Sequence, residues 1–310
     1  MVDLLEAVGG FNAQSARGPL VGIWSRMGDW DPAALDELCR EYQVVKVNVM
    51  RGTVHLLTAR QYWSWRPALR DVLRRNVAGF CHGIWKAVDY DELLSWGSDF
   101  VSDGRHLTRG DMGEAAGQRF PDADPAHLGF AMRMILPLVE VPSPTMWSPE
   151  RTRYVYAPAV CPGQARSGED GLADLARSFA VSFGSAAVDD FAYWSGLTKT
   201  EAARQSEVLI NSVASSPFSP GGPTTVLPEF DNLYFCRRTS DTDLYQAKKD
   251  RRLQPARMPG SLLSDGAVVA HWTNSKRDGL RLMPWTDIDA RANNAWEHFA
   301  DWYRSQNVSR

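Results

Sequence analysis

The chain has 310 residues, of which 44% are hydrophobic and 23% charged, and this length and composition predict a soluble globular protein of two or three units. Its formal net charge of −3 excludes a protein that coats nucleic acid through overall positive charge, because phosphate binding relies on many Lys and Arg side chains. No apolar run is long enough to span a membrane, and the N-terminal stretch lacks the features of a secretory signal. We therefore expect a cytoplasmic protein that contacts no membrane.

The cysteines do not form a metal-binding pattern. Cys39, Cys81, Cys161 and Cys236 lie far apart, without a Cys-x-x-Cys pair or a histidine at zinc-finger spacing. They are interpreted as reduced structural thiols, so the sequence predicts neither a metal site nor a cofactor.

The first segment, residues 1–85, predicts helices followed by a hairpin. Apolar spacing in LLEAVGG indicates a helix closed by Gly9 and Gly10, and Asp31-Pro32 caps a second amphipathic helix. The stretch VVKVNVMRGTVHLL then alternates apolar and polar residues and turns at Gly52, as two short strands do.

This order of elements recurs along the chain. In residues 86–165, DYDELLSWGSDFVS is helical, Thr108 with Asp111 caps the next helix, and Asp124 with Pro125 opens a third. Residues 166–222 predict three successive helices, the last in TKTEAARQSEVLINSV. Residues 223–310 predict strands in TTVLPEFDNLYF and SDGAVVAHWT before a closing helix, so the fold class is helix-rich α+β.

Positive charge is concentrated in two places that are candidates for contact with DNA. Arginines spaced by four would form one stripe on a helix, and a second group is less regular. The stripe is Arg66, Arg70 and Arg74, and the second group includes Arg237, Arg238, Lys248 and Lys249. The alternative is that both groups are solvated surface faces.

Six segments resemble one family in the right order. They are LLEAVGGFNAQ, GIWSR, MRGTVHLL, ADPAHLGFAMRMILPLV, VDDFAYWSGL and VLPEFDNLYF. Along nearly its whole length the chain resembles the AlkZ/YcaQ-like winged-helix DNA glycosylases. The resemblance implies three tandem winged-helix motifs and a strand-rich C-terminal part around a concave DNA-binding face. It also implies excision of alkylated purines or interstrand crosslinks, which in some members protects an antibiotic producer from its own product.

The resemblance assigns the catalytic role to Asn12 and Gln14. The family carries a Gln-x-Gln or Gln-x-Asp motif at this place, so Gln14 matches and Asn12 departs. Asparagine keeps the amide but is one methylene shorter, which we expect to affect activity or substrate range. Relatives also carry an additional helix before the segment Leu4 to Gly10, and a longer segment between WSGL and VLPEFDN.

Two amides suffice for this chemistry if the leaving base is already cationic. Guanine alkylated at nitrogen 7 departs as a neutral base, so no acid is needed to protonate it. What remains is to hold a water below the anomeric carbon and to stabilise oxocarbenium-like charge with oriented carbonyl dipoles. Lyase chemistry would need an amine nucleophile, and the nearest lysine along the chain is Lys46, so monofunctional hydrolysis is favoured.

Three further residues carry open alternatives. His55 contacts DNA or is a structural histidine within a strand, and Arg51 binds phosphate or pairs with a buried carboxylate such as Asp231. Asp231 supports the active site by ordering water or forms a structural ion pair with an arginine.

The expected partner is double-stranded DNA bearing alkylated purines, bound by a monomer in the cytoplasm and associated with a bacterial nucleoid. Two other functions stay open: a non-catalytic winged-helix regulator, which would be expected to dimerise on palindromic sites, and a resistance protein that sequesters a drug.

Overall fold

The computed structural model describes residues 1–28, 30–144, 152–213, 224–236, 258–275 and 277–308. Within these ranges no helix combines the length and the apolar character needed to cross a lipid bilayer. The described residues form a helix-rich α+β architecture, the fold class that the sequence predicts, and contain three antiparallel sheets.

Helices dominate the described part of the chain. They are α1 (Val2–Ala7), α2 (Gly18–Met27), α3 (Pro32–Arg40), α4 (Ala59–Ala68), α5 (Arg70–Phe80), α6 (Ile84–Ala87), α7 (Tyr90–Val101), α8 (Arg109–Arg119), α9 (Pro125–Ile135), α10 (Ala157–Val160), α11 (Gly168–Phe183), α12 (Val188–Ser195), α13 (Lys199–Ala203), α14 (Ser206–Val213) and α15 (Ala290–Val308). The strands are β1 (Phe11–Asn12), β2 (Val44–Asn48), β3 (Val54–Thr58), β4 (Leu138–Glu140), β5 (Tyr154–Tyr156), β6 (Thr225–Leu227), β7 (Gly260–Ser264), β8 (Ala267–Ser275) and β9 (Gly279–Pro284).

The N-terminal strands form a three-stranded antiparallel sheet in the order β1-β3-β2, which we call the motif sheet. Strands β2 and β3 are the predicted hairpin, joined by a 3₁₀ turn at Met50–Gly52. The predicted caps are confirmed: α1 ends before Gly9 and Gly10, both with positive φ, and Asp31 accepts a hydrogen bond from Ala33 N at the start of α3.

A middle helical unit consists of α7, α8, α9 and the hairpin β4–β5. Its helices begin at the predicted residues: Thr108 and Asp111 form a reciprocal capping box, and Asp124 accepts hydrogen bonds from Ala126 N and His127 N. Helices α8 and α9 pack closely at Gly113 and Gly129, where an added Cβ on either residue would lie 2.2 Å from a carbonyl oxygen of the facing segment.

Two secondary-structure predictions are wrong in part. The single helix predicted in TKTEAARQSEVLINSV is two short helices, α13 and α14, separated at Arg204 and Gln205. Of the strand predicted in TTVLPEFDNLYF only β6 is extended, because Phe230 has a φ of +58° and Asp231 caps a 3₁₀ turn at Asn232–Tyr234.

The hydrophobic cores cross the predicted unit boundaries. One core joins Leu5 and Phe11 to Phe299 and Tyr303 of α15, so the chain ends pack together. The boundaries at 85, 165 and 222 stay predictions. Within residues 166–213, which the structure describes, all elements are helices.

Candidate active site

Asn12 and Gln14 lie where strand β1 ends. A tight turn at Gly9 and Gly10 leads into the strand, and the turn requires glycine, because a Cβ on Gly10 would lie 2.9 Å from the carbonyl oxygen of Leu56. Asn12 is 4% exposed, whereas Gln14 is exposed. The motif therefore has one residue anchored in the sheet and one at the surface.

The two amides contact each other. Asn12 Nδ2 donates to Gln14 Oε1 at 3.1 Å, and Asn12 Oδ1 accepts from the backbone nitrogen of Gln14 at 2.9 Å. The second bond is an Asx turn, which fixes the asparagine side chain against its own backbone. The two side chains therefore lie together, and the exposed glutamine amide is held by the buried one.

Asp231 forms a buried ion pair beside this motif, but with a partner that the sequence did not indicate. Both its carboxylate oxygens accept from Arg26 Nη2, at 3.1 and 3.0 Å, and the Asp231 side chain is 1% exposed. The next residue, Asn232, donates from Nδ2 to the carbonyl oxygen of Gly10 at 2.8 Å. The segment around Asp231 therefore fastens both α2 and the glycine turn.

Arg51 is not the partner of Asp231, which corrects the predicted pairing. Its guanidinium donates to the carbonyl oxygen of Trp194 and stacks on Phe235, with the guanidinium carbon 4.4 Å from the ring centre. Its Nη2 is buried without a hydrogen-bond partner. Burial lowers the pKa of Arg51 to about 10, so it keeps its charge at neutral pH.

His55 is fully buried, so the predicted contact with DNA is wrong for the conformation described. Its Nδ1 lies 3.0 Å from the carbonyl oxygen of Thr53, and its Nε2 is buried without a partner. Burial, and secondly the charge of Arg51, lower the pKa of His55 to about 3. The ring is therefore neutral over the working range of pH.

The predicted arginine stripe is broken. Arg66 is 7% exposed, and its Nη2 donates to the carbonyl oxygens of Met134 and Leu136 at 2.5 and 2.9 Å, so it joins α4 to the end of α9 and cannot reach a phosphate. The helical path also breaks at Leu69, between α4 and α5. Arg70 and Arg74 are exposed on α5, and their contact with DNA stays a prediction.

The remaining predicted DNA contacts, Arg237, Arg238, Lys248 and Lys249, lie outside the described residues. All four cysteines are buried and none forms a disulfide, and burial raises the pKa of Cys39 and Cys161 to about 12. These two thiols are therefore protonated and unreactive. Within the described ranges, no three His, Cys, Asp or Glu side chains are grouped so that they could hold a metal ion.

Arg26 and Asn232 are the residues of this region that sequence reasoning missed. Both lie in the family-like segments GIWSR and VLPEFDNLYF, which was the available signal. Their partners are more than two hundred positions away, at separations of 205 and 222 residues, and no local pattern specifies such a pairing.

Comparison with known proteins agrees with the geometry. The family model described as DNA glycosylase AlkZ-like matches residues 5–302. Among solved structures, Streptomyces sahachiroi DNA glycosylase AlkZ superposes with a TM-score of 0.72 at 17% sequence identity, covering 96% of this chain and 88% of that one. A search of curated protein sequences gives no match. The structural likeness shows a shared fold, and the family match extends over nearly the whole sequence. The chain therefore belongs to the AlkZ-like DNA glycosylase family.

Proposed function

We propose that this protein is a monofunctional DNA glycosylase that hydrolyses the N-glycosidic bond of N7-alkylguanine in duplex DNA and leaves an abasic site. The observation that carries the proposal is the contact between the amides of Asn12 and Gln14, one buried in the motif sheet and the other exposed. The same arrangement accommodates bulky natural-product adducts and crosslinks as substrates, because the exposed amide lies at the surface.

The two amides have different roles because one is buried and the other is exposed. Gln14 contacts the incoming sugar and holds a water below the anomeric carbon, while Asn12 holds Gln14 in place. The carbonyl oxygens act as fixed dipoles towards the positive charge that develops on the sugar, which is the electrostatic preorganisation that most lowers such barriers. No proton is delivered to the base, because an N7-alkylated guanine leaves as a neutral species when the C1′–N9 bond breaks. The water that adds to the anomeric carbon releases its proton to solvent.

The surrounding charged groups support hydrolysis without a carboxylate base or a lysine nucleophile. Asp231 is occupied by Arg26, so it supports the site as a structural ion pair. Lys46, the lysine nearest along the chain, forms a salt bridge with Glu140 at 3.0 Å. A lysine held by such a salt bridge is a poor Schiff-base nucleophile.

For DNA binding we propose a concave face made by the helix-and-hairpin units in a tandem winged-helix arrangement, acting as a monomer. Arg70 and Arg74 on α5 are the described side chains assigned to phosphates. Replacing each with Gln should weaken binding at low salt and reduce the slope of log K against log [salt] by about one. Arg304→Gln on α15, at another exposed arginine, is the matched control. A slope that stays unchanged in the α5 variants removes them from the interface.

The proposed activity is tested by incubating the purified protein with duplex DNA that carries one N7-methylguanine. We expect free methylated base in solution and a DNA strand that stays intact until alkali cleaves it at the abasic site. The same duplex with unmodified guanine is the control and should release nothing. Sequence-specific binding without base release would support a regulator instead. Strand cleavage without alkali would contradict the monofunctional assignment.

A further inference from the structure

Asn12 and His55 are directly opposite each other on one face of the motif sheet. The antiparallel register pairs Asn12 with His55, and His55 in turn with Val47. Side chains at opposed positions lie about 5 Å apart at their Cβ atoms. The neighbouring pair, Phe11 and Leu56, faces the other side and packs into the core with Leu5. The histidine is therefore the ring beside the buried amide of the proposed catalytic motif.

The hydrogen bond on the other ring nitrogen decides the tautomer of His55. The Nδ1 atom faces the carbonyl oxygen of Thr53 at 3.0 Å, and a carbonyl oxygen only accepts hydrogen bonds. Nδ1 must therefore carry the hydrogen, which leaves Nε2 with a bare lone pair. Burial and the nearby charge of Arg51 keep the ring from being protonated there. His55 thus presents a fixed acceptor inside the protein.

A buried hydrogen-bond acceptor lowers the stability of the fold unless it accepts a hydrogen bond. Nε2 of His55 is buried without a hydrogen-bond partner, and such atoms are uncommon in native proteins. Asn12 offers a matching donor on the same face, because its amide nitrogen has two hydrogens and one of them is bonded to Gln14 Oε1. The shorter side chain of asparagine keeps that amide close to the strand, and so close to the ring.

We propose that His55 is a positioning residue that holds Asn12 during base excision. During excision the second amide hydrogen of Asn12 donates to Nε2 of His55, while the first stays on Gln14 Oε1 and the Asn12 carbonyl oxygen stays on the Gln14 backbone nitrogen. This rests on the proposed function of the Asn12–Gln14 pair.

The test compares His55→Phe, which keeps the ring volume and removes the acceptor, with His55→Gln, which keeps an acceptor. Single-turnover base release, DNA affinity and the thermal midpoint are measured for each. We expect His55→Phe to slow release about 100-fold, with an unchanged dissociation constant for DNA, and His55→Gln to recover part of the rate. In an Asn12→Ala background His55→Phe should have no further effect, because the two residues act as one unit.

Two outcomes overturn the proposal. A weaker affinity for DNA with an unchanged rate would make His55 a DNA contact. Equal losses in both variants, in step with a lowered thermal midpoint, would make it only a structural residue.

A measurement that does not depend on activity separates this proposal from the proposed function. Nitrogen-15 NMR of the histidine rings, recorded at pH 7 with a duplex that contains an abasic site bound, should show His55 with hydrogen on Nδ1, and its Nε2 resonance should shift on Asn12→Ala. If the wild type releases no base yet this shift is seen, the glycosylase proposal fails and the positioning of Asn12 stands. If the resonance is unchanged, the positioning proposal fails.

Discussion

The motif sheet and the middle helical unit differ in the side chains that they bury, which are partly polar in the sheet and apolar or tyrosine in the helical unit. In the described residues of the middle unit, the buried side chains are apolar or tyrosine, and the helices begin at bonded caps. The motif sheet buries Asn12, Asn48 and His55, with Asp231 and Asn232 packed against it. Polar burial costs stability, so the contrast with the middle unit indicates that the motif sheet is shaped by chemistry as well as by packing.

The largest expected effect comes from breaking the buried ion pair beside the motif. Asp231→Ala leaves the Arg26 guanidinium without its carboxylate, and we expect the free energy of unfolding to fall by about 3 kcal/mol or more. Glu92→Ala is the control in the middle unit, because it breaks the exposed pair with Arg119 and should cost at most about 1 kcal/mol. Urea denaturation of both variants checks this, and equal losses would remove the contrast between the regions.

A substitution that disrupts packing in the middle unit should lower stability without changing the rate of base excision. A methyl group on Gly129 would lie 2.2 Å from the carbonyl oxygen of Arg109, so Gly129→Ala forces α8 and α9 apart. We expect a loss of about 1–3 kcal/mol in the free energy of unfolding, with the single-turnover rate per folded molecule unchanged. A reduced rate at full folding would show that the middle unit shapes the active site directly.

The buried histidine should make the free energy of unfolding depend on pH, with a smaller effect than the two substitutions above. His55 has a pKa of about 3 when folded and 6.5 as its ordinary value, so the unfolded chain binds a proton that the folded chain does not. The contribution of His55 to the free energy of unfolding is therefore fully present above pH 6.5. It is lost as the pH falls from 6.5 towards 3, by about 1 kcal/mol per pH unit. Unfolding at pH 7.5 and 5.5 should show this loss in the wild type and less of it in His55→Gln. The same dependence in both proteins would assign it to other groups.

Local features of this fold were predictable, and long-range ones were not. The turn at Gly9 and Gly10, the cap at Asp31 and the hairpin follow from residue types that favour those backbone conformations. The burial of Arg66 could not be predicted from its spacing. Arginines at helical spacing have the same pattern whether they donate to carbonyl oxygens of another helix, as Arg66 does, or lie at the surface and bind phosphates.

The ion pair of Asp231 was predicted only in part, because its partner is distant along the chain and no local pattern specifies it. The sequence indicated an ion pair with an arginine and left the partner open, with Arg51 as one candidate, whereas the partner is Arg26. Only packing of α2 against the segment 231–236 decides between them. The orphan nitrogen of His55 was also out of reach, because burial without a partner is a property of the assembled sheet.

The most direct test of the central claim is the single-turnover release of N7-methylguanine from duplex DNA by Gln14→Ala and Asn12→Ala. Asn293→Ala, which truncates an exposed amide on α15, is the matched control. We expect each motif variant to lose about 100-fold or more in rate while remaining folded, and the control to match the wild type. Undiminished release by both motif variants would contradict the account, because the amide pair would then play no part in catalysis.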